Sequence, residues 1–213
     1  MRVSYNEIYQ ISRKACLGCQ IFEDYAEDIG RTVGLIHMKG LDGCKELESM
    51  LSEGSFKKIP PPRIREKKLI IQKLHPIKTA IRMIDWLMAG NYQKAIILKG
   101  IEFPMIIKGL FLKTIMIKGG QFYIKDSSSN DIFKIANNYN LKGEATFLGE
   151  SNRIEVSWKQ VPEPKALVGI ECQSFETSNQ TWERLETYAY KTYVPETEKS
   201  RLEGAGAGIV DID

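Results

Sequence analysis

The chain has 213 residues, of which 43% are hydrophobic and 27% charged, with a formal net charge of +3 at pH 7. A chain of this size and make-up can bury a core without disulfide or metal staples, and so small a charge surplus gives no footing for nucleic-acid binding. The opening Met-Arg-Val-Ser-Tyr-Asn-Glu lacks the apolar run of a leader peptide, and Lys99, Glu102, Pro104, Lys108 and Lys113 interrupt Ile96 to Ile117, so that stretch is not expected to cross a membrane.

The first helix is specified at its start. Ser4 and Glu7 have the spacing of a capping box, Val3 and Ile8 that of a hydrophobic staple, and Ile8, Ile11, Ala15 and Cys19 continue as an apolar stripe. A second helix is expected from about Phe22 to Lys39 on the stripe Phe22, Ala26, Ile29, Val33 and Ile36, closed by Gly40. Asp42 then caps a short third helix that turns Leu47 and Leu51 inward and ends near Gly54. Pro60-Pro61-Pro62, set among Lys57, Lys58, Arg63, Arg65, Lys67 and Lys68, reads as an exposed basic connector over residues 55–75. A fourth helix starts at Pro76 and stops at Gly90-Asn91.

Beyond it the pattern is mostly that of sheet. Lys94 to Leu98, Phe122 to Lys125, Ala145 to Leu148, Ile154 to Trp158 and Val168 to Cys172 are short β-prone runs, with a hairpin turn at Glu150 to Arg153. Met105 to Ile117 fits helix and strand periods about equally. Thr181 caps a last helix carrying Trp182, Leu185, Tyr188 and Ala189 on one face, and Pro195 ends it. The predicted fold is α+β: an N-terminal helical section (1–54), the connector (55–75), a helix-plus-sheet core (76–192) and a docked Gly-rich tail (193–213), all in one domain.

The candidate chemistry is sparse. His37 and Cys44 flank the Gly40 turn, and a histidine base beside a thiol is the arrangement of a nucleophilic cysteine; the plainer reading is a helix-end histidine on nearby carbonyls. Cys16-Leu-Gly-Cys19 is a CxxC at the end of a helix with no strand before it, where thioredoxin-like motifs do not sit, and no second Cys pair completes a zinc site. The thiols, Cys172 included, are therefore expected to be reduced core residues, and no metal is expected. In the tail, Ser200, Arg201, Gly204, Gly206 and Gly208 are the ligand-binding candidates: Arg201 offers a planar fork for a carboxylate, and the glycines offer backbone amides. The tail's acids, Glu196, Glu198, Glu203, Asp211 and Asp213, could pair with the basic connector within a chain or across a dimer.

Two resemblances follow from these residues. Val3, Ser4, Glu7, Ala26, Gly40 and Asp42 are similar to the N-terminal helices of the malate/L-lactate dehydrogenase family that includes ureidoglycolate and sulfolactate dehydrogenases. In that family the turn continues Ser-His-Gly, where this chain has Gly43-Cys44-Lys45, and a later His-x-Phe-Gly has no counterpart among the two histidines, His37 and His75. Over its whole length the chain more closely resembles an uncharacterised bacterial family with Gly-Leu-Asp-Gly at 40–43, a Trp-containing late helix and a tail matched by Tyr193, Val194, Pro195, Thr197, Glu198, Ser200, Arg201, Gly204, Gly206 and Gly208. The resemblance implies kinship and carries no activity.

The functional expectation is a cytoplasmic, non-catalytic or accessory protein that binds a small molecule or a protein partner, with a homodimer as one form. It binds neither nucleic acid nor membrane and needs no cofactor. The alternative is an enzyme acting on a small carboxylate or 2-hydroxy acid, a diverged relative of the dehydrogenases, for which NAD(P) would be the cofactor and Arg201 with Asp42–Cys44 the site.

Overall fold

The computed structural model describes residues 1–54, 60–90, 94–126, 132–136, 153–161 and 174–193. Three helices lead: α1 (Tyr5–Gly18), α2 (Glu23–Met38) and α3 (Gly43–Glu53), preceded by the short strand β1 (Arg2–Ser4). The capping box at Ser4 forms in both directions, since Glu7 N donates to Ser4 Oγ and Ser4 N donates to the Glu7 carboxylate. Gly40 sits at φ 73° between α2 and α3, and Gly54 ends α3 in the left-handed conformation, both as their positions require.

Residues 63–71 depart from the expected connector. They form a hairpin of β2 (Arg63–Arg65) and β3 (Lys68–Ile71), turned by Glu66 and Lys67 at positive φ. The basic residues occupy the exposed positions of an edge hairpin, while Leu69 and Ile71 are buried in the core. Charge concealed a half-buried strand there.

A π-helical turn, Pro76–Ala80, then runs directly into α4 (Ile81–Met88), and β4 (Ala95–Ile97) returns parallel to β3. The ambiguous segment is helix α5 (Pro104–Lys118). Ile106, Ile107, Leu110, Phe111, Leu112 and Ile115 are buried on several sides of it, as are Lys108 and Thr114, and a helix buried over most of its surface shows no clear helical period in its sequence. It lies against α2 and α3, and Phe111 stacks on Phe122 of the sheet with ring centroids 4.5 Å apart.

The sheet is completed by β5 (Gln121–Asp126), β6 (Ile132–Ile135) and β7 (Ile154–Lys159), in the order β2-β3-β4-β7-β5-β6. Among the described strands of the sheet, β3 and β4 pair in parallel and the other neighbours antiparallel, so the sheet is mixed and the fold is α+β. A separate two-stranded ladder joins β1 to β8 (Ser174–Glu176), with Val3 opposite Phe175, and α6 (Asn179–Tyr190) follows to pack on α1. Ser178 caps α6, three residues before the expected Thr181, whose N–H it receives. The strands expected at 145–148 and 168–172, the turn at 150–152, Cys172 and the tail from 194 lie outside the described residues. Among the described residues no helix is long and apolar enough to cross a membrane.

Candidate functional site

The turn between α2 and α3 brings His37 and Cys44 together, and adds Asp42. Tight packing sets this geometry: a Cβ on Gly43 would stand 3.0 Å from Val33 O and 3.1 Å from Ile36 Cβ, so α3 begins pressed against α2. Asp42 caps α3 by accepting from Lys45 N at 3.1 Å. His37 Nε2 accepts from Cys44 N at 3.2 Å, so its partner is the next helix's N–H and not the carbonyls expected of a helix-end histidine. Two side chains thus satisfy two of the unpaired amides that open α3.

The atoms that could ligate a metal converge here. His37 Nε2 is 3.5 Å from Asp42 Oδ1, and a histidine nitrogen, the Cys44 sulfur and an Asp42 oxygen all lie within 4.8 Å of one another. His37 and Cys44 are buried, while Asp42 is partly exposed. Burial pushes the His37 pKa down, against the pull of the Asp42 carboxylate. The Cys44 thiol is pushed up to about 12 by burial and then by Asp42, with hydrogen bonds from Ser12 and Thr177 pulling the other way. Thr177, just past β8, also reaches Asp42 Oδ1 at 3.5 Å, and the His37 ring faces Phe175 at 6.2 Å. Met1, Arg2, Asp42, Glu176, Thr177 and Ser178 line a shallow depression above the cluster.

The third member, Asp42, was readable as a cap and missed as a ligand. The signal was the His-x4-Asp-x-Cys spacing across a helix–glycine–helix turn, which a search for paired cysteines passes over. Thr177 had no local signal, because only the β1–β8 pairing delivers it. Cys16 is fully buried and its thiol is raised by burial, as is that of Cys19, in keeping with core roles for both. Ser200, Arg201, Gly204, Gly206 and Gly208 lie outside the described residues.

A second concavity of about 220 Å³ runs between α1 and α6, where Glu7, Ile11, Lys14, Trp182, Glu186 and Tyr190 are among its walls. Tyr193 also lines it. Lys14 Nζ lies 5.4 Å from the Tyr193 ring centroid and donates to its hydroxyl at 3.1 Å, while Trp182 Nε1 donates to Glu186 Oε1 at 3.0 Å.

The class these features define is an α+β domain whose helical half leads the chain. Residues 3–88 match the model of a family described as "Protein of unknown function (DUF3726)". No curated protein and no solved structure matches the chain. The matched segment runs from β1 to the end of α4. It therefore contains the His37–Asp42–Cys44 turn and stops short of β8, α6 and the tail, and nothing in it supports the dehydrogenase resemblance.

Proposed function

We propose that the chain is a non-catalytic binding protein that takes a small organic amine in the cleft between α1 and α6. The observation that carries the non-catalytic reading is the commitment of His37 and Cys44. The histidine's Nε2 is engaged by the Cys44 amide, and a thiol pushed up to about 12 supplies almost no thiolate at neutral pH. Neither group is poised for proton transfer or attack.

The cleft supports the ligand class. Its volume of about 220 Å³ is below the usual range of metabolite pockets and suits one ring-sized group better than a dinucleotide. Its walls include Trp182, Tyr190 and Tyr193, with two carboxylates, Glu7 and Glu186, against one ammonium, Lys14. Hydrogen bonds from the Ser4 amide and hydroxyl hold the Glu7 pKa below its ordinary value, so it stays ionised. The Lys14 ammonium already rests over the Tyr193 ring, the geometry a ligand ammonium would adopt. A cytoplasmic location and a homodimer or other protein partner belong to the same reading; sedimentation of the full chain at the monomer mass would remove the homodimer.

The test is an NMR titration of the full chain with benzylamine, benzoate and NADH. Saturable shifts at Ile11, Lys14, Trp182 and Tyr190 with benzylamine, and far weaker ones with benzoate, are expected. Shifts elsewhere or none would reject the cleft. Saturable NADH binding with oxidation of a 2-hydroxy acid by the oxidised cofactor would reject the non-catalytic reading.

A further inference from the structure

We propose that His37, Asp42 and Cys44 form a binding site for a divalent transition-metal ion of the zinc type. The inference is independent of the cleft between α1 and α6, but it concerns the same two residues, His37 and Cys44, whose metal-free state the non-catalytic reading uses. It begins from the convergence of three donor atoms. His37 Nε2 accepts from Cys44 N and so carries a lone pair, and Asp42 Oδ1 stands 3.5 Å from it while accepting from Lys45 N and Thr177 Oγ1. One metal cation can take a lone pair from each of these two side chains and also from the Cys44 sulfur, since the three ligand atoms already lie within 4.8 Å of one another.

The donor set narrows the ion. Nitrogen, sulfur and oxygen from three side chains match zinc, cobalt and their neighbours, while magnesium and calcium favour oxygen alone. Closing the three atoms onto one ion asks for side-chain rotations, for the release of the Cys44 N contact, and for the ion to share or displace the contacts of Asp42 Oδ1 with Lys45 N and Thr177 and of the thiol with Ser12 and Thr177. Metal binding expels the Cys44 proton to solvent as the sulfur–metal bond forms, and the metal compensates for the burial that otherwise keeps the thiol protonated. Entry is from the side of Asp42, which lines both the cluster and the depression beside Thr177. Three protein ligands leave a fourth position for water or an exogenous donor. Thr177 Oγ1, 3.5 Å from Asp42 Oδ1, is placed to orient the carboxylate.

The test uses the full chain stripped with chelator and titrated with Co²⁺ and then Zn²⁺. The expected result is one ion per chain, a thiolate-to-cobalt charge-transfer band, and displacement of cobalt by zinc. Cys44→Ser keeps the side chain's size and should abolish the band. His37→Gln and Asp42→Asn each should weaken zinc binding by about tenfold or more. Circular dichroism of each variant identifies any that misfold, and Asp42→Asn retains a capping oxygen for α3. A Cys19→Ser variant should leave the band intact. The proposal is overturned if the stripped protein binds no stoichiometric cobalt, if the band survives Cys44→Ser, or if ¹⁵N chemical shifts of metal-free and metal-treated protein both show a doubly protonated His37, which would make the cluster a plain imidazolium–carboxylate pair.

Discussion

At the scale of single residues, the second histidine gives the clearest pH dependence. His75 is fully buried before the π-helical turn, and its Nδ1 accepts from Ile77 N at 3.2 Å. Burial, then Lys73 and Lys78, push its pKa from 6.5 down to about 4. The folded ring stays neutral where the unfolded chain would take up a proton. Stability from this group is therefore fully present above pH 6.5 and is lost as the pH falls from there through about 4. At about 1.4 kcal/mol per pKa unit the loss is about 3 kcal/mol. His75→Asn keeps an acceptor for Ile77 N and cannot titrate in this range. In urea unfolding it should remove His75's share of the acid destabilisation between about pH 6.5 and about pH 4, leaving that of His37, whose pKa burial also lowers. An unchanged pH slope would refute the assignment. Sequence alone could rank neither histidine: His37 and His75 each accept an amide N–H at the start of a helical turn, and that role depends on the backbone beside them.

Among the elements, α5 shows why the sequence was only partly legible. Its two ends carry the usual signs, Pro104 at the first turn and Gly119 after the last, yet its interior is buried on most sides, Lys108 and Thr114 included, so no clean apolar stripe stands out. The helices α1 and α3 and the first half of α2 were readable because each has one wet face, while Thr32 to His37 of α2 are buried throughout. The hairpin β2–β3 was not, because its lysines and arginines are the exposed half of an edge pair. The start of α5 has no cap of its own: Phe103 stands at φ 52° with no side-chain bond, and Glu46 of α3 reaches across to accept from Met105 N at 3.1 Å. Glu46→Ala should cost about 1–2 kcal/mol in equilibrium unfolding, and Glu46→Gln should recover most of it by keeping the acceptor. Equal losses in both variants would mean that the charge, not the cap, carries the effect. Gly109 is the second test of this helix. A Cβ there would lie 2.7 Å from Thr32 Cγ2 and 3.0 Å from Ile36 Cδ1, so Gly109→Ala should push α5 off α2 and destabilise by about 1–3 kcal/mol despite alanine's better helix propensity. A stabilised variant would show that the two helices have room to part.

For the whole molecule, the matched family segment and the folding unit do not coincide. Residues 3–88 supply β1, α1, α2, α3, the hairpin and α4, but their buried faces are completed from later in the chain. β1 takes its ladder partner among the described residues from β8, and Arg184 of α6 bonds Glu48 of α3 at 3.2 Å. Gly18 lies so close under α6 that a Cβ would stand 1.9 Å from Tyr188 O, and α5 fills the groove over Thr32 and Ile36. Among the described strands β3 lies between the exposed edge β2 and the later β4. A fragment spanning residues 1–88 would thus expose the faces that α5, α6, β4 and β8 cover, and the apolar area lost from its core has no substitute within it. It should retain helical circular dichroism while giving poorly dispersed NMR spectra and a broad, weakly cooperative urea transition. Mixing it with a fragment spanning residues 94–213 should restore dispersion and a steeper transition, because the missing faces return with β4, α5, β8 and α6. A sharp two-state transition from the 1–88 fragment alone would show that the leading helices fold independently. The proposed zinc-type site gives the same comparison a second readout: all three ligands lie within the fragment, but Thr177 and Phe175, which fix and cover them, do not. The fragment should therefore bind cobalt more weakly than the full chain, and recover affinity when the second fragment is added.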